Sequence, residues 1–252
     1  MGKLDNSLFY TCISILFLCI FLTFLFFTPK KISDDEKIVF VGNLSNEETM
    51  ERALGLMNEG DIILTKPKSL YGRYKYSKEI NNNATTKLGS FFFYNLFDKI
   101  IISSMGDTYW HVGIYIGNGT MNSLYLDNKN EKINKNFIEH NYFKVLKVKA
   151  SEYEKKLAMK RAKEHYEKQD IYYSLKNGLL ITYAESVKSK KFLDLKENEL
   201  ICSSYVAYLY REINFDNKPF TNVAPVDLEF SSVTELNFIV NKTGFYIKNE
   251  TE

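Results

Sequence analysis

The chain has 252 residues, with 33 Lys and Arg against 31 Asp and Glu, so its formal net charge is +2 at pH 7. This length suits one domain of ordinary size with a short appendage. No basic stripe is present, which argues against a nucleic-acid-binding protein. The 3 His are scattered, and neither a metal-ligand spacing nor a Gly-rich phosphate loop occurs, so we expect no metal and no cofactor.

An uncharged apolar run occupies residues 8–27 and has the length of a helix that crosses a bilayer. A cleaved signal peptide would have a shorter apolar core followed by small residues, whereas Thr28, Pro29 and Lys30 follow this run. We therefore expect residues 1–28 to form a single-pass N-terminal transmembrane helix, with the lipid bilayer as a partner.

The sequence leaves the side of the membrane open. Lys30, Lys31 and Lys37 lie in the predicted linker, residues 29–44, while only Lys3 precedes the apolar run, which favours the cytoplasm for the rest of the chain. N-glycosylation sequons, which matter only in a secretory lumen, favour the opposite side of the membrane. They begin at Asn43, Asn83, Asn118, Asn241 and Asn249.

The first predicted elements of the domain are a helix and a buried strand. Ser45 and Glu48 have the spacing of a capping box, so we expect a helix over about 46–58. The apolar run that follows predicts a strand over 61–65. The aromatic segment 90–104 is interpreted as a core helix, a lid near the site or a membrane contact, with the core favoured.

A β-hairpin is predicted around Asn118 and Gly119, because two β-rich runs flank this Asn-Gly pair. His111 then opens the first strand. A two-residue loop would place Asn122 on the same face as His111, whereas a three-residue loop would place Ser123 there instead.

The C-terminal half is predicted to alternate strands and helices. Alternating apolar and Lys positions indicate a strand at 143–150, and a second capping box opens a helix from Ser151 to about Lys168. We expect partial helix within 170–198, and one or two strands within 222–248 after a turn marked by proline.

Residues 199–213 are predicted to form an amphipathic helix with Cys202 in its first turn. Unpaired N–H groups and the helix dipole favour a thiolate at such a position, although a cysteine there can also be a small buried apolar residue. Cys12 and Cys19 lie in the apolar run, so Cys202 is the only cysteine available to a soluble domain.

Cys202, His111 and Asn122 are the residue types that a cysteine hydrolase needs. Such an enzyme uses a thiol nucleophile, a histidine that moves the proton and a third group that orients the histidine. Proximity of His111 and Asn122 follows from the two-residue hairpin, whereas proximity of Cys202 and His111 does not follow from spacing. We expect His140 and His165 at the surface.

Four motifs in one order resemble a known family. They are GDIIL (60–64), HVGIYIGNG (111–119), CSSYVAYLY (202–210) and APVDLEFS (224–231). This set resembles the permuted branch of the NlpC-type papain-like cysteine hydrolases, with its YiiX-like and poxviral members, and more distantly the lecithin:retinol acyltransferase group. In this branch the histidine precedes the cysteine, as it does here.

The resemblance implies a circularly permuted papain-like domain over 45–248, with Cys202 as the nucleophile and His111 as the base. It implies a polar third residue on the strand after the histidine, a position that Asn122 matches. Two positions depart from the pattern of the family, since Asn122 replaces the usual Glu or His and Ser204 stands where Glu often follows the Cys-Ser pair.

The expected fold is α+β, with an antiparallel sheet packed against helices. The expected function is a membrane-tethered thiol hydrolase or acyltransferase that cleaves an amide or ester bond in a small-molecule, lipid or peptide substrate, with a lean toward lipids and acylated peptides. The alternatives are a catalytically inactive, membrane-anchored interaction module of the same fold, and a pore or fusion component that uses the membrane span and residues 90–104.

Overall fold

A computed structural model describes residues 38–68, 109, 111–125, 127–186 and 192–249. The predicted membrane anchor, residues 1–28, and the aromatic segment 90–104 lie outside these ranges. Within the described ranges, no helix is both long enough and apolar enough to cross a membrane.

The described part of the chain contains ten strands and six α-helices. The strands are β1 (Ile38–Gly42), β2 (Ile62–Pro67), β3 (His111–Tyr115), β4 (Thr120–Tyr125), β5 (Asp127–Lys132), β6 (Asn141–Val148), β7 (Tyr172–Tyr173), β8 (Glu199–Leu200), β9 (Thr234–Asn241) and β10 (Gly244–Lys248). The α-helices are α1 (Asn46–Leu56), α2 (Lys135–His140), α3 (Glu152–Lys168), α4 (Leu175–Ser186), α5 (Cys202–Leu209) and α6 (Pro225–Glu229), with a 3-10 turn at Phe220–Asn222.

The described residues form an eight-stranded sheet in the order β1-β10-β9-β6-β2-β3-β4-β5. All neighbouring strands in this sheet run antiparallel. Strands β7 and β8 form a separate parallel pair, and β8 immediately precedes α5. The predicted α+β class, with an antiparallel sheet packed against helices, is confirmed.

Capping boxes open α1 and α3, as the sequence predicts. Ser45 Oγ accepts the Glu48 N–H at 3.2 Å, and the Glu48 carboxylate accepts the Ser45 N–H at 2.9 Å. Ser151 and Glu154 make the same reciprocal pair at the start of α3. These bonds satisfy N–H groups that a helix start otherwise leaves unpaired, which fixes where each helix begins.

The sheet separates two apolar cores, because successive side chains of a strand point to opposite faces. On β2, Ile62 and Leu64 face one core and Ile63 faces the other. The first, which we name the α5-side core, also contains Val112, Ile114, Leu146, Ala158, Ala162, Tyr205, Val206 and Leu209. The second, the α1-side core, also contains Ala53, Met57, Tyr115, Met121, Phe137, Phe143, Phe238 and Phe245.

Some elements lie where the sequence predicts only polar loop. Residues 38–42, within the predicted linker 29–44, form β1 and pair with β10. Residues 127–140 form β5 and α2. The sheet therefore starts inside the predicted linker and extends one strand beyond the predicted hairpin.

Candidate active site

Cys202 is the first residue of α5, and its side chain is buried in the α5-side core. Burial raises the pKa of the thiol to about 11, and hydrogen bonds from the backbone N–H groups of Val112, Ser203 and Cys202 partly oppose this rise. The contact with Val112 is informative, because Val112 directly follows His111 on β3. The structure therefore places the sulfur at the start of the histidine strand, a proximity that spacing alone does not predict.

Two serines fix the start of α5. Ser204 Oγ accepts the N–H of Ile201 at 2.8 Å and donates to the Ile201 carbonyl at 3.2 Å. In a capping box, a Glu side chain at this position accepts the same N–H group, that of the residue before the helix. Ser203 Oγ donates to the Val223 carbonyl at 2.8 Å. Ser204 thus performs the backbone contact that a capping-box Glu makes at this position.

His111 is the first residue of β3 and pairs with Thr65 on β2. Its side chain is mostly buried, at 8% exposed. The imidazole packs edge-on against the ring of Tyr125, with 5.5 Å between the ring centroids. Tyr125 in turn lies 6.3 Å from the ring of Tyr173 on β7, the short strand paired with β8 just before Cys202.

The hairpin between β3 and β4 has the three-residue register. The Ile116 N–H donates to the Thr120 carbonyl at 2.9 Å, which leaves residues 117–119 as the loop. Gly113 therefore pairs with Ser123, and Ile114 pairs with Asn122. This is the second of the two registers considered above. By strand alternation, Ser123 lies on the face of the α1-side core, and Asn122 lies on the face that carries α5. The same alternation assigns His111, the first residue of β3, to the Ser123 face, so contact between its imidazole and the Cys202 sulfur has to be made around the start of the strand.

Asn122 is fully buried and joins three elements. Its Oδ1 accepts the hydroxyl of Tyr205 on α5 at 2.8 Å. Its Nδ2 donates to Asn130 Oδ1 at 2.8 Å and to the Lys129 carbonyl at 3.3 Å, both on β5. Because Tyr205 follows Cys202 by three residues on the same helix face, Asn122 holds the nucleophile helix against β4 and β5. The role of third catalytic residue stays a prediction for Asn122, and Ser123 has the register for it.

Asp61, in the Gly-Asp motif, is a buried group whose role the sequence does not reveal. Its Oδ2 accepts the Asn58 N–H at 2.9 Å, which closes the turn after α1. Burial raises the pKa of this carboxyl to about 6, against the hydrogen bond from Asn58 and the charges of Lys155 and Lys147. The Tyr210 hydroxyl, at the end of α5, donates to the carbonyl of the adjacent Gly60. The Gly-Asp motif therefore connects the turn after α1 to the end of α5.

Glu229, in the APVDLEFS motif, forms a buried ion pair with Lys144 on β6. The Lys144 Nζ lies 2.8 Å from Glu229 Oε1, and the two side chains are 11% and 2% exposed. The same ammonium lies 5.7 Å from the ring centroid of Tyr109, two residues before His111. This cluster ties α6 to the sheet on the face that carries α5, since Lys144 pairs with Leu64 of the α5-side core.

The other histidines are less exposed than expected. His140 ends α2 and is buried, so the expectation of a surface position is wrong for this residue. His165 is partly buried, with its Nδ1 2.6 Å from Asp170 Oδ1. In the part of the chain that the structure describes, no group of three or more His, Cys, Asp or Glu side chains could hold a metal ion.

Comparison of the chain with models of known protein families found no match. Comparison with curated protein sequences found none either.

Proposed function

We propose that this protein is a membrane-tethered thiol hydrolase or acyltransferase with a circularly permuted papain-like fold. One observation supports this most: the Cys202 sulfur, at the start of a buried helix, accepts a hydrogen bond from the residue that follows His111. A helix start and a neighbouring histidine are two of the features that activate the cysteine of a thiol enzyme. The order of the four sequence motifs gives the same assignment through the family resemblance.

In the proposed reaction, His111 reaches around the start of β3 and takes the proton of the Cys202 thiol as the sulfur attacks the carbonyl carbon of an amide or ester. The raised pKa of the buried thiol makes this transfer necessary, because the thiol is protonated at neutral pH without a base. The negative charge on the carbonyl oxygen is stabilised by backbone N–H groups around the sulfur, such as those of Cys202 and Ser203.

The tetrahedral intermediate then collapses, and the bond from carbon to the leaving group breaks. The leaving amine or alcohol takes the proton from His111, and the acyl group stays on Cys202 as a thioester. His111 next deprotonates water, or an acceptor alcohol or amine, which attacks the thioester and restores the thiol. Hydrolase and acyltransferase differ only in this acceptor.

The test is labelling of the full chain, in detergent, with an electrophilic probe for reactive thiols. We expect the parent protein to be labelled at Cys202, and Cys202→Ala to lose the label. Cys19→Ala is the matched control and should keep it, because Cys19 lies in the apolar run. Labelling of Cys202→Ala equal to that of the parent would show that another residue reacts.

A catalytically inactive, membrane-anchored interaction module is the second candidate. It is favoured by the burial of Cys202, which is 4% exposed, and by the raised pKa of its thiol. In that case Cys202 is a core residue. A parent protein that stays unlabelled until denaturant is added, together with a Cys202→Ala variant that has a lower free energy of unfolding, would support the module over the enzyme.

A further inference from the structure

The surface at β1 is unusually apolar for the edge of a sheet. Ile38, Val39 and Phe40 are 37%, 43% and 53% exposed, and they are consecutive, so apolar side chains project on both faces of the strand. Among the described strands, β1 pairs only with β10 and forms one edge of the eight-stranded sheet. Soluble proteins usually protect such an edge with charge, proline or a covering segment.

An aromatic pair and a lysine lie at the same corner. The rings of Phe40 and Tyr246 are 5.2 Å apart at their centroids, and these residues pair across β1 and β10. The turn that leads into β10 carries Lys242, which is exposed. Aromatic rings combined with a basic side chain are typical of surfaces that lie at the boundary between lipid headgroups and acyl chains.

The chain itself indicates what covers this surface. The apolar run ends at residue 27 and β1 begins at Ile38, so only residues 28–37 separate them. Fully extended, a segment of that length reaches about 35 Å, so β1 is the described element held closest to the anchor along the chain. Lys30, Lys31 and Lys37 in this segment are balanced by Asp34, Asp35 and Glu36, so the segment has no net charge and the placement of β1 against lipid rests on its apolar side chains and on its closeness to the anchor.

We infer that the β1 edge, defined by Ile38, Val39 and Phe40 with Tyr246 and Lys242, rests on the surface of the bilayer that holds the anchor. This inference rests on the membrane tether of the proposed function but not on its thiol chemistry. It assigns an orientation to the domain: the edge formed by β1 faces lipid, and the edge formed by β5 faces away from it.

Depth-dependent fluorescence quenching tests this orientation on the full chain. The background is Trp110→Phe, which removes the one native Trp. Phe40→Trp places the reporter on the β1 edge, and Ile38→Trp is a second reporter should the first variant fold poorly. Tyr153→Trp is the matched control, because Tyr153 is 74% exposed on α3, a helix that contacts α5 and β5.

The proteins are reconstituted in phosphatidylcholine and phosphatidylserine vesicles, with or without bromine on the acyl chains. We expect bromolipid to quench the reporters on β1 several-fold more than the reporter on α3. Equal quenching of both positions overturns the inference, as does a β1 reporter that is protected from aqueous acrylamide but unquenched by bromolipid, which would indicate a protein partner such as a second copy.

Vesicle flotation separates failure of the inference from failure of the tether. If the protein floats with the vesicles and the β1 reporters are unquenched, the orientation is wrong and the tether stands. If the protein does not float, both are wrong, while probe labelling of Cys202 still decides the thiol chemistry independently.

Discussion

Glu131→Gln should make the protein more stable, and more so as the pH rises. Glu131 lies on β5 opposite Met121, and its Oε1 is buried without a hydrogen-bond partner among the described residues. Burial raises the pKa of this carboxyl from 4.5 to about 8. The folded protein therefore holds a proton that the unfolded chain has released, so stability falls as the pH rises from about 4.5 to about 8.

The size of the effect follows from the pKa difference. At about 1.4 kcal/mol per pKa unit, it corresponds to a loss of the order of 5 kcal/mol from the free energy of unfolding across this window. A glutamine has nearly the same shape and no charge, so Glu131→Gln should have stability close to that of the parent at pH 4 and should exceed it by several kcal/mol at pH 9.

Urea unfolding of the full chain in detergent, repeated from pH 4 to pH 9, measures this difference. The comparison between variant and parent cancels the titration of all other groups, provided that they are far from Glu131. A difference in unfolding free energy that stays constant over the whole range would refute the argument, because it would mean that the carboxyl titrates alike in the folded and unfolded states.

Three further changes probe the site. Asn122→Ala should lower the free energy of unfolding by about 1–3 kcal/mol, because it leaves the buried Tyr205 hydroxyl without its acceptor; urea unfolding with unchanged stability would contradict this. Gly113→Ala should cost about 1–3 kcal/mol, since the added Cβ would lie 2.8 Å from the Asn122 carbonyl oxygen; a melting temperature equal to that of the parent would argue against it. His111→Ala should slow alkylation of Cys202 at pH 7 and leave a rate that climbs toward pH 11, followed by peptide mass spectrometry; identical profiles for variant and parent would exclude His111 as the base.

The helices of the site could be predicted because their signals are local. The apolar spacing after Cys202 and the serine caps of α1 and α3 act within one or two turns, so the residues alone determine them. The proximity of Cys202 to β3 could not be predicted in this way. It depends on how α5 packs against β3, and these two elements are far apart in the sequence.

The hairpin register depends on one residue beside the Asn-Gly pair. Gly117, Asn118 and Gly119 all adopt positive φ, at 85°, 51° and 64°, so the loop takes three residues. Gly117 suits the first position of this loop because a residue with a Cβ rarely adopts such a φ, whereas a Cβ there would meet only the side chain of the exposed Glu59, which can move. The glycine before the Asn-Gly pair thus allows the loop to take three residues, and the Asn-Gly pair alone does not contain that information.

Burial of single polar groups was the least predictable property. β5 reads DNKNEK, a sequence typical of an exposed loop, yet the carboxyl of Glu131 is enclosed. Similarly, Glu229 looks like a surface residue at the end of a short helix, whereas it is 2% exposed beside Lys144. Whether a carboxylate meets water is decided by neighbouring elements, and strand or helix periodicity does not report it.

The strand order also determines how far the Cys202 sulfur lies from the membrane surface. Five ladder steps separate β1 from β3 in the sheet, and at about 4.8 Å a step they span about 24 Å. With β1 against lipid, the Cys202 sulfur would stand well above the phosphate layer. A bond cleaved at that height belongs to a group that projects from the membrane, such as the outer part of a membrane protein or a long headgroup, and an acyl ester at the depth of the glycerol backbone would have to be lifted out to reach the thiol.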